Sequence, residues 1–117
     1  MKELFGSILG EQLSSVEFVQ DYLQLHFDGS TLTCYSWPKI LVDFNSYEIF
    51  DNGYRDAICK IIGCKIDKIY LNEKKSLSIL FDKEYQIILN LFRDESNQDL
   101  PEFAYFTDTE NNWFVLD

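Results

Sequence analysis

The chain has 117 residues, of which 46% are hydrophobic and 16% aromatic, which predicts one folded domain over residues 1–117 and argues against a disordered chain. Its formal net charge of −10 disfavours binding to nucleic acid or to an anionic membrane. The sequence shows no secretory signal, no apolar run of the roughly 18 residues that span a bilayer, and three cysteines at irregular spacing, so a cytoplasmic location is expected.

Acidic residues are concentrated in the last part of the chain. Residues 1–92 carry thirteen acidic and nine basic side chains, and Arg93 is the last basic residue. The 24 residues that follow carry seven carboxylates and no basic side chain. Such a tail either keeps a small protein soluble or attracts a basic partner, and the sequence leaves both explanations open. The carboxylates are those of Asp94, Glu95, Asp99, Glu102, Asp108, Glu110 and Asp117.

The first third of the chain is predicted to form a short helix followed by antiparallel strands. Residues 2–9 place apolar side chains at helical spacing, and Gly10 supplies the left-handed residue that ends many helices. Residues 13–19 alternate in part and predict a strand. Residues 23–35 alternate up to Asp28-Gly29 and then continue with β-forming residues, which is a strong hairpin signal.

The same order of elements recurs about 53 residues later. Residues 54–62 predict a second helix, with Asp51 or Asn52 as its N-cap and Gly63 as its stop. The segment 66–87 then repeats the strand and the hairpin. The sequence therefore contains a second copy of the pattern found in its first third.

The second copy differs from the first at the tip of its hairpin, where Lys83 stands in place of Gly29. The tight primed turn of the first hairpin favours glycine at this position, so the second hairpin is expected to use another turn type. The matched positions define two repeat units of helix and three strands, which are approximately residues 2–37 and 54–91.

Each unit is followed by a less regular segment that adds strands. Residues 40–44 alternate and predict a strand, whereas residues 93–100 are polar and predict a loop. Residues 103–106 and 113–116 are predicted as the last two strands, with a turn at 108–112. The predicted fold is an α+β domain with two short helices and a mainly antiparallel, strongly curved sheet or partly open barrel, with a possible internal α-β-β-β repeat.

The sequence predicts no catalytic or metal site. The single histidine, His26, is expected to face outward because both of its neighbours in sequence are apolar, and it has no second histidine or Cys-x-x-Cys motif to complete a zinc site. Pairing through the Asp28-Gly29 turn places Cys34 opposite Leu23 and away from His26, which argues against a cysteine–histidine dyad. We therefore expect a non-enzymatic protein without a cofactor or a metal.

Aromatic side chains among the carboxylates are the remaining functional signal. About half of the aromatic residues in the acidic tail should face the core, and the others would form a protein-binding surface in which rings anchor the partner and charges steer its approach. A second candidate surface surrounds Tyr47. The predicted partner-binding residues are Asp94, Glu95, Asp99, Glu102, Tyr105, Asp108 and Glu110 in the tail, and Tyr47, Glu48 and Asp51 in the second segment.

Three patterns occur together in this chain: a helix–glycine–strand unit at residues 58–69, a Leu-x-Leu-x-Phe-Asp-Gly hairpin at 23–29, and a closing Pro101-Glu102-Phe103…Trp113-x-Val115. Together they resemble small bacterial immunity proteins, the cytosolic antidotes to secreted toxins of contact-dependent inhibition and related polymorphic toxin systems. The resemblance implies a protein that binds one toxin, often a basic nuclease, and blocks its active site. It carries over no individual functional residues.

The alternative function is that of a small-molecule-binding or accessory domain. It would need a roomy apolar pocket inside the curved sheet. The many large aromatic side chains argue instead that the interior is filled. The oligomeric state stays open, since edge strands could pair between copies.

Overall fold

A computed structural model describes residues 5–117 and shows a mostly β structure. Within this range there are ten strands, one α-helix and two 3-10 turns, and no helix is long and apolar enough to cross a membrane. The helix α1 is Tyr54–Cys59, and the 3-10 turns are Gly6–Ile8 and Glu95–Asn97. The strands are β1 Ser15–Phe18, β2 Leu23–Phe27, β3 Ser30–Cys34, β4 Lys39–Val42, β5 Asn45–Tyr47, β6 Ile66–Asn72, β7 Ser76–Phe81, β8 Gln86–Asn90, β9 Ala104–Thr107 and β10 Trp113–Leu116.

The strands form two five-stranded sheets with antiparallel pairing throughout, which confirms the predicted antiparallel character. The first sheet has the order β1-β2-β3-β9-β10, and the second has the order β5-β4-β8-β7-β6. Each sheet therefore combines three consecutive strands from one half of the chain with a hairpin from the other half. The described strands do not close into a barrel, and the predicted strong curvature stays a prediction.

The segments that contain the two predicted repeat units are joined by hydrogen bonds at Gly10 and Gly63. The Gly10 amide donates to the Ile66 carbonyl at 2.9 Å, and the Gly63 amide donates to the Leu13 carbonyl at 2.8 Å. Both glycines have positive φ, +82° and +91°, which lets each segment turn toward the other. The two bonds are equivalent to each other, because an offset of 53 relates Gly10 to Gly63 and Leu13 to Ile66. The isolated bridge between Gln12 and Lys65 joins two residues that are themselves 53 apart.

The two hairpins have the predicted difference at their tips. In β2–β3, Leu23 pairs with Cys34, and both central turn residues, Asp28 and Gly29, have positive φ, as a primed two-residue turn requires. In β7–β8 the turn is longer, and Glu84 takes the left-handed conformation. The predicted register of the first hairpin is therefore correct, and the second hairpin uses another turn.

Three local predictions need correction. The described part of the predicted helix 2–9 is only the 3-10 turn Gly6–Ile8, and residues 2–4 lie outside the described residues. The N-cap of α1 is Gly53, which has no side chain to cap with, rather than Asp51 or Asn52. Phe44 lies in the β4–β5 turn and is fully exposed, because β4 ends at Val42 and the chain reverses through Asp43 and Phe44.

The two sheets and the helix share a single core. One cluster contains the inward side chains of both sheets together with Ile8 and with Ile58 of α1. The α1 residue Tyr54 is 1% exposed, and its hydroxyl donates to the Pro38 carbonyl at 2.5 Å. Phe5 packs on two aromatic rings of the first sheet, those of Phe106 and Phe114, with ring centroids 5.1 and 4.9 Å away. Because side chains alternate along each strand, the residues between these buried ones point outward.

Candidate protein-binding face

The outer face of the first sheet carries two pairs of aromatic rings. The buried residues of β9 and β10 alternate with Tyr105 and Trp113, so these two rings point outward, where they stack with centroids 5.9 Å apart. Tyr22 and Tyr35, at the opposite end of the β2–β3 hairpin from its tip, also have centroids 5.9 Å apart. We call this outer surface, with the carboxylates of Glu17 and Glu102 beside it, the acidic aromatic face.

The electrostatics of Tyr35 indicate that these groups lie close together. Burial raises the pKa of Tyr35, and the Glu102 carboxylate and the side chains of Tyr22 and Tyr105 act in the same direction. Since like charges disfavour ionisation of the phenol, the hydroxyl stays protonated and can donate a hydrogen bond at neutral pH. The acidic aromatic face therefore offers both apolar rings and hydrogen-bond donors.

Polar side chains fill the part of this face between the Tyr22–Tyr35 pair and the hairpin tip. Gln24 donates from Nε2 to Thr33 Oγ1 at 3.1 Å. His26 lies with Nδ1 3.1 Å from Thr31 Oγ1 and Nε2 3.4 Å from Glu17 Oε1. These contacts fix the side chains relative to one another, so a partner would meet an ordered surface.

The segments that build the first sheet contain no lysine or arginine. Residues 5–38 and 94–117 carry eleven carboxylates and no basic residue except His26, whereas residues 39–93 carry nine basic and eight acidic side chains. The sequence already shows a charge imbalance in the tail. In the first sheet, the tail strands β9 and β10 follow β1–β3, which also contain no lysine or arginine. One half of the molecule is therefore acidic, and the other half is nearly neutral.

The predicted partner-binding residues fall into three groups. Tyr105 and Glu102 belong to the acidic aromatic face, and Asp108 and Glu110 lie in the β9–β10 loop at its end. Hydrogen bonds from Asn112 and from backbone amides lower the pKa of Asp108 although partial burial acts to raise it. Asp108 therefore stays ionised and orders the loop.

A second group, Asp94, Glu95 and Asp99, lies in the connection from β8 to β9. Asp94 caps the 3-10 turn by accepting from the Ser96 amide at 2.9 Å, and the hydroxyl and amide of Ser96 lower the pKa of Asp94. Arg93 holds the connection by donating to several of its backbone carbonyls. Glu95 and Asp99 are exposed and free of these capping bonds, which leaves them available to a partner.

The third group, Tyr47, Glu48 and Asp51, lies apart from the other two. Tyr47 belongs to β5 at the edge of the second sheet, and Glu48 and Asp51 follow it in the loop before α1. The Asp51 carboxylate accepts from the Glu48 amide at 2.8 Å, which is a local turn contact. The structure therefore does not bring this segment together with the first-sheet residues.

Sequence reasoning missed three residues of the face, namely Glu17, Tyr22 and Tyr35, and it did not separate Trp113 from the inward-facing aromatic residues of the tail. The alternation of β1, β2, β3 and β10 is visible in the sequence and points these side chains away from the core. What was not visible is that β3 pairs with β9, which places Thr33 beside Tyr105 and joins two distant segments. The missing information was the order of the strands.

The cysteines and the histidine do not form a reactive pair. Cys34 is buried on the inner side of β3, where burial raises its pKa to about 12, and His26 points to the outer side. Among residues 5–117, no three His, Cys, Asp or Glu side chains are grouped so that they could hold a metal ion. In comparisons with known proteins, no protein-family model, no curated protein and no solved structure matches this chain.

Proposed function

We propose that this chain is a non-enzymatic inhibitor that binds a basic protein through the acidic aromatic face of its first sheet. The partner that fits both the charge and the sequence resemblance is a secreted bacterial toxin, with a basic nuclease as the preferred case. In this proposal the chain acts as the toxin's immunity protein and covers its active site.

The observation that carries the proposal is the chemical composition of one face. Tyr22, Tyr35, Tyr105 and Trp113 expose ring surface on a sheet whose own segments contain no lysine or arginine. Aromatic residues are enriched among the anchors of protein interfaces, and a field of one sign speeds the approach of an oppositely charged partner. A nuclease active site must bind a polyanion, so it offers the complementary basic surface.

The experiment begins with the gene that neighbours this chain's own gene. If that gene encodes a secreted protein with a toxin domain, an inactive form of the domain is purified and its association rate with this chain is measured at about 50 and 500 mM salt. Electrostatic steering predicts a steep fall of the rate at high salt, because surface charges are screened within about 10 Å at 0.1 M. A salt-independent rate contradicts steering, and the absence of binding contradicts the proposal.

Variants on the face identify the surface that binds. Tyr105→Ala with Trp113→Ala is expected to raise the dissociation constant more than tenfold, because anchor truncations cost about 2 kcal/mol or more each. Tyr70→Ala is the matched control, since Tyr70 is 55% exposed on the second sheet. Equal losses in the test and control variants would place the interface elsewhere.

Charge reversal tests the acidic part of the same surface. Glu95→Lys, Asp99→Lys and Glu102→Lys should slow association without unfolding the domain. Asp94 is left unchanged because its carboxylate caps a turn. Glu73→Lys, in the β6–β7 turn, is the control for a change of net charge alone.

The alternative of a small-molecule-binding domain lacks a supporting observation. Such a domain would bind its ligand in a cavity between or within the sheets. The inner faces of the two sheets instead meet in one cluster of buried side chains that fills the space between them.

A further inference from the structure

The two sheets differ at one place, which lies between two neighbouring turns at the same end of each sheet. We call this place the corner of the sheet. In the first sheet, the five-residue loop 108–112 between β9 and β10 lies over the β2–β3 turn, where a Cβ added to Gly29 would be 2.8 Å from Thr109 Cγ2. The equivalent corner of the second sheet lies between the β4–β5 turn and the β7–β8 turn. Because the β4–β5 turn has only two residues, this corner is a cleft of about 680 Å³. The chain fills one corner and leaves the other open.

Phe44 forms one wall of the open corner and is an unusual residue for its position. Its side chain is fully exposed, and its φ is +65° in a turn where Asp43 also has positive φ. Such turns favour glycine and asparagine, and a bulky residue in the left-handed region is an outlier. Neither packing in the core nor turn geometry accounts for a phenylalanine here.

The turn that presents Phe44 is held in place by side chains from two other elements. Asp43 accepts from Lys60 Nζ at 2.9 Å and lies 3.4 Å from the Tyr85 hydroxyl, and Asn45 donates to the Asp43 carbonyl at 3.2 Å. The bond from Lys60, followed by that from Tyr85, holds the pKa of Asp43 below its usual range although some desolvation opposes it. A turn fixed in this way loses little freedom when it binds.

The lining of the cleft combines an apolar floor with acidic walls. Leu41 and Leu80 are only partly buried, so they offer accessible aliphatic surface inside it. Asp67 and Glu84 add two exposed carboxylates, and Lys83 is the basic residue of the lining. An aliphatic floor beneath carboxylates and an aromatic ring suits a long basic side chain, whose stem is apolar and whose end is charged.

We propose that this cleft receives an arginine or lysine side chain from a protein partner, with the stem against Leu41 and Leu80, the charged end toward Asp67 and Glu84, and the Phe44 ring alongside. The proposal rests on the proposed function for the basic character of the partner. A lipid membrane is a poorer occupant, since Asp43, Asp67 and Glu84 line the same cleft as the exposed ring and the chain carries a net charge of −10.

The test uses phage-displayed random peptides as the probe, selected on the immobilised full chain. Enriched peptides should share an arginine or lysine and should bind Phe44→Gly at least about tenfold more weakly than the unchanged chain. Phe44→Gly removes the ring and suits the positive φ, so its thermal unfolding midpoint should rise rather than fall. A combined Asp67→Asn and Glu84→Gln variant should also lose binding.

Two controls separate this corner from the rest of the surface. Phe50→Ser removes another ring that is 95% exposed, and it should leave peptide binding unchanged. Tyr70→Ala, which removes a ring that is 55% exposed on β6, should also leave it unchanged. Enriched peptides without a basic residue, peptides insensitive to Phe44→Gly, or no enrichment would overturn the proposal, as would binding to phosphatidylcholine or phosphatidylserine vesicles that depends on Phe44.

The outcomes also separate this proposal from the proposed function. If a toxin domain binds and depends on the first sheet, but peptides do not depend on Phe44, only the corner proposal fails. If no toxin domain binds and peptides still require Phe44 and the two carboxylates, the corner binds a basic segment and only the proposed function fails.

Discussion

Replacing Arg93 tests how the acidic connection from β8 to β9 is held on the molecule. Its guanidinium donates to the carbonyls of Asn97 at 2.9 Å and Leu100, both in part-buried positions, and to Pro101 and Asp117 at the surface. It also lies 4.4 Å above the centre of the Phe103 ring, which is fully buried. No lysine can copy this arrangement, because an ammonium group lacks the planar fork of donors.

The expected cost follows from these contacts. Each of the two part-buried hydrogen bonds contributes about 1 kcal/mol, and the exposed ones contribute little because water replaces them. The cation–π contact adds roughly 1 kcal/mol. Arg93→Ala should therefore lower the free energy of unfolding by about 3 kcal/mol. Arg93→Lys keeps the charge and part of the bonding and should lower it by about 1.5 kcal/mol.

Thermal and urea unfolding measure these changes. At about 4 °C per kcal/mol for a domain of this size, Arg93→Lys should lower the unfolding midpoint by roughly 6 °C and Arg93→Ala by roughly 12 °C. Arg55→Ala is the matched control, because Arg55 also lies over an aromatic ring, that of Phe18 at 5.6 Å, on the exposed surface. If Arg93→Lys is as stable as the unchanged chain, the guanidinium does not hold the connection.

Four further predictions concern Gly29, Tyr54 and the cysteines. Gly29→Ala should cost about 1–3 kcal/mol, because φ is +110° and the new Cβ meets Thr109, whereas Gly6→Ala, with open space around it, should cost less than 1 kcal/mol in the same urea unfolding assay. Tyr54→Phe should cost about 1–2 kcal/mol by leaving the buried Pro38 carbonyl unpaired, and an unchanged unfolding midpoint would refute that bond. Among the cysteines, exposed Cys59 should react with a thiol reagent in the folded protein and buried Cys34 only after unfolding. Because the Cys34 pKa is about 12 in the folded state and near 9 when unfolded, its contribution to stability is complete below pH 9 and declines as the pH rises toward 12. A Cys34→Ala variant should therefore lose less stability between pH 9 and 12 than the unchanged chain, although the raised pKa values of Tyr54 and Cys64 still contribute.

Local features of the fold were predictable because local chemistry determines them. The Asp28-Gly29 turn fixed the register of β2–β3, since only residues that tolerate positive φ fit its two central positions. The glycines at 10 and 63 marked real changes of direction for the same reason. Alternation also told inward from outward residues on β2, β9 and β10.

The division into two sheets was not predictable from those signals. It depends on β3 pairing with β9 and β4 pairing with β8, and nothing in the sequence of one strand identifies a partner more than forty residues away. The prediction that Phe44 belongs to a strand is wrong for a different reason. The alternation of Ile40 and Val42 continues to Phe44, and the Asp43-Phe44 turn lacks the glycine that usually reveals such a turn.

Equivalent positions in the two sheets show which residue types the core requires and which it does not. Tyr105 pairs with Thr33 in the first sheet, and Lys39 pairs with Ile88 at the equivalent place in the second. The inner positions of both sheets are mainly apolar, as the shared core demands, whereas this outer pair differs in chemistry between the sheets. Packing therefore does not explain why one sheet has aromatic rings without lysine or arginine.

The same comparison predicts how the two kinds of substitution should differ. A truncation at an inner position, such as Phe106→Ala, removes a fully buried ring and should cost about 3–5 kcal/mol of stability. A truncation at an outer position, such as Trp113→Ala, removes a ring that is 60% exposed and should cost far less. If the Trp113 ring has a functional role, its loss must weaken binding to a partner. Binding measurements, rather than unfolding measurements, therefore test the role of this face.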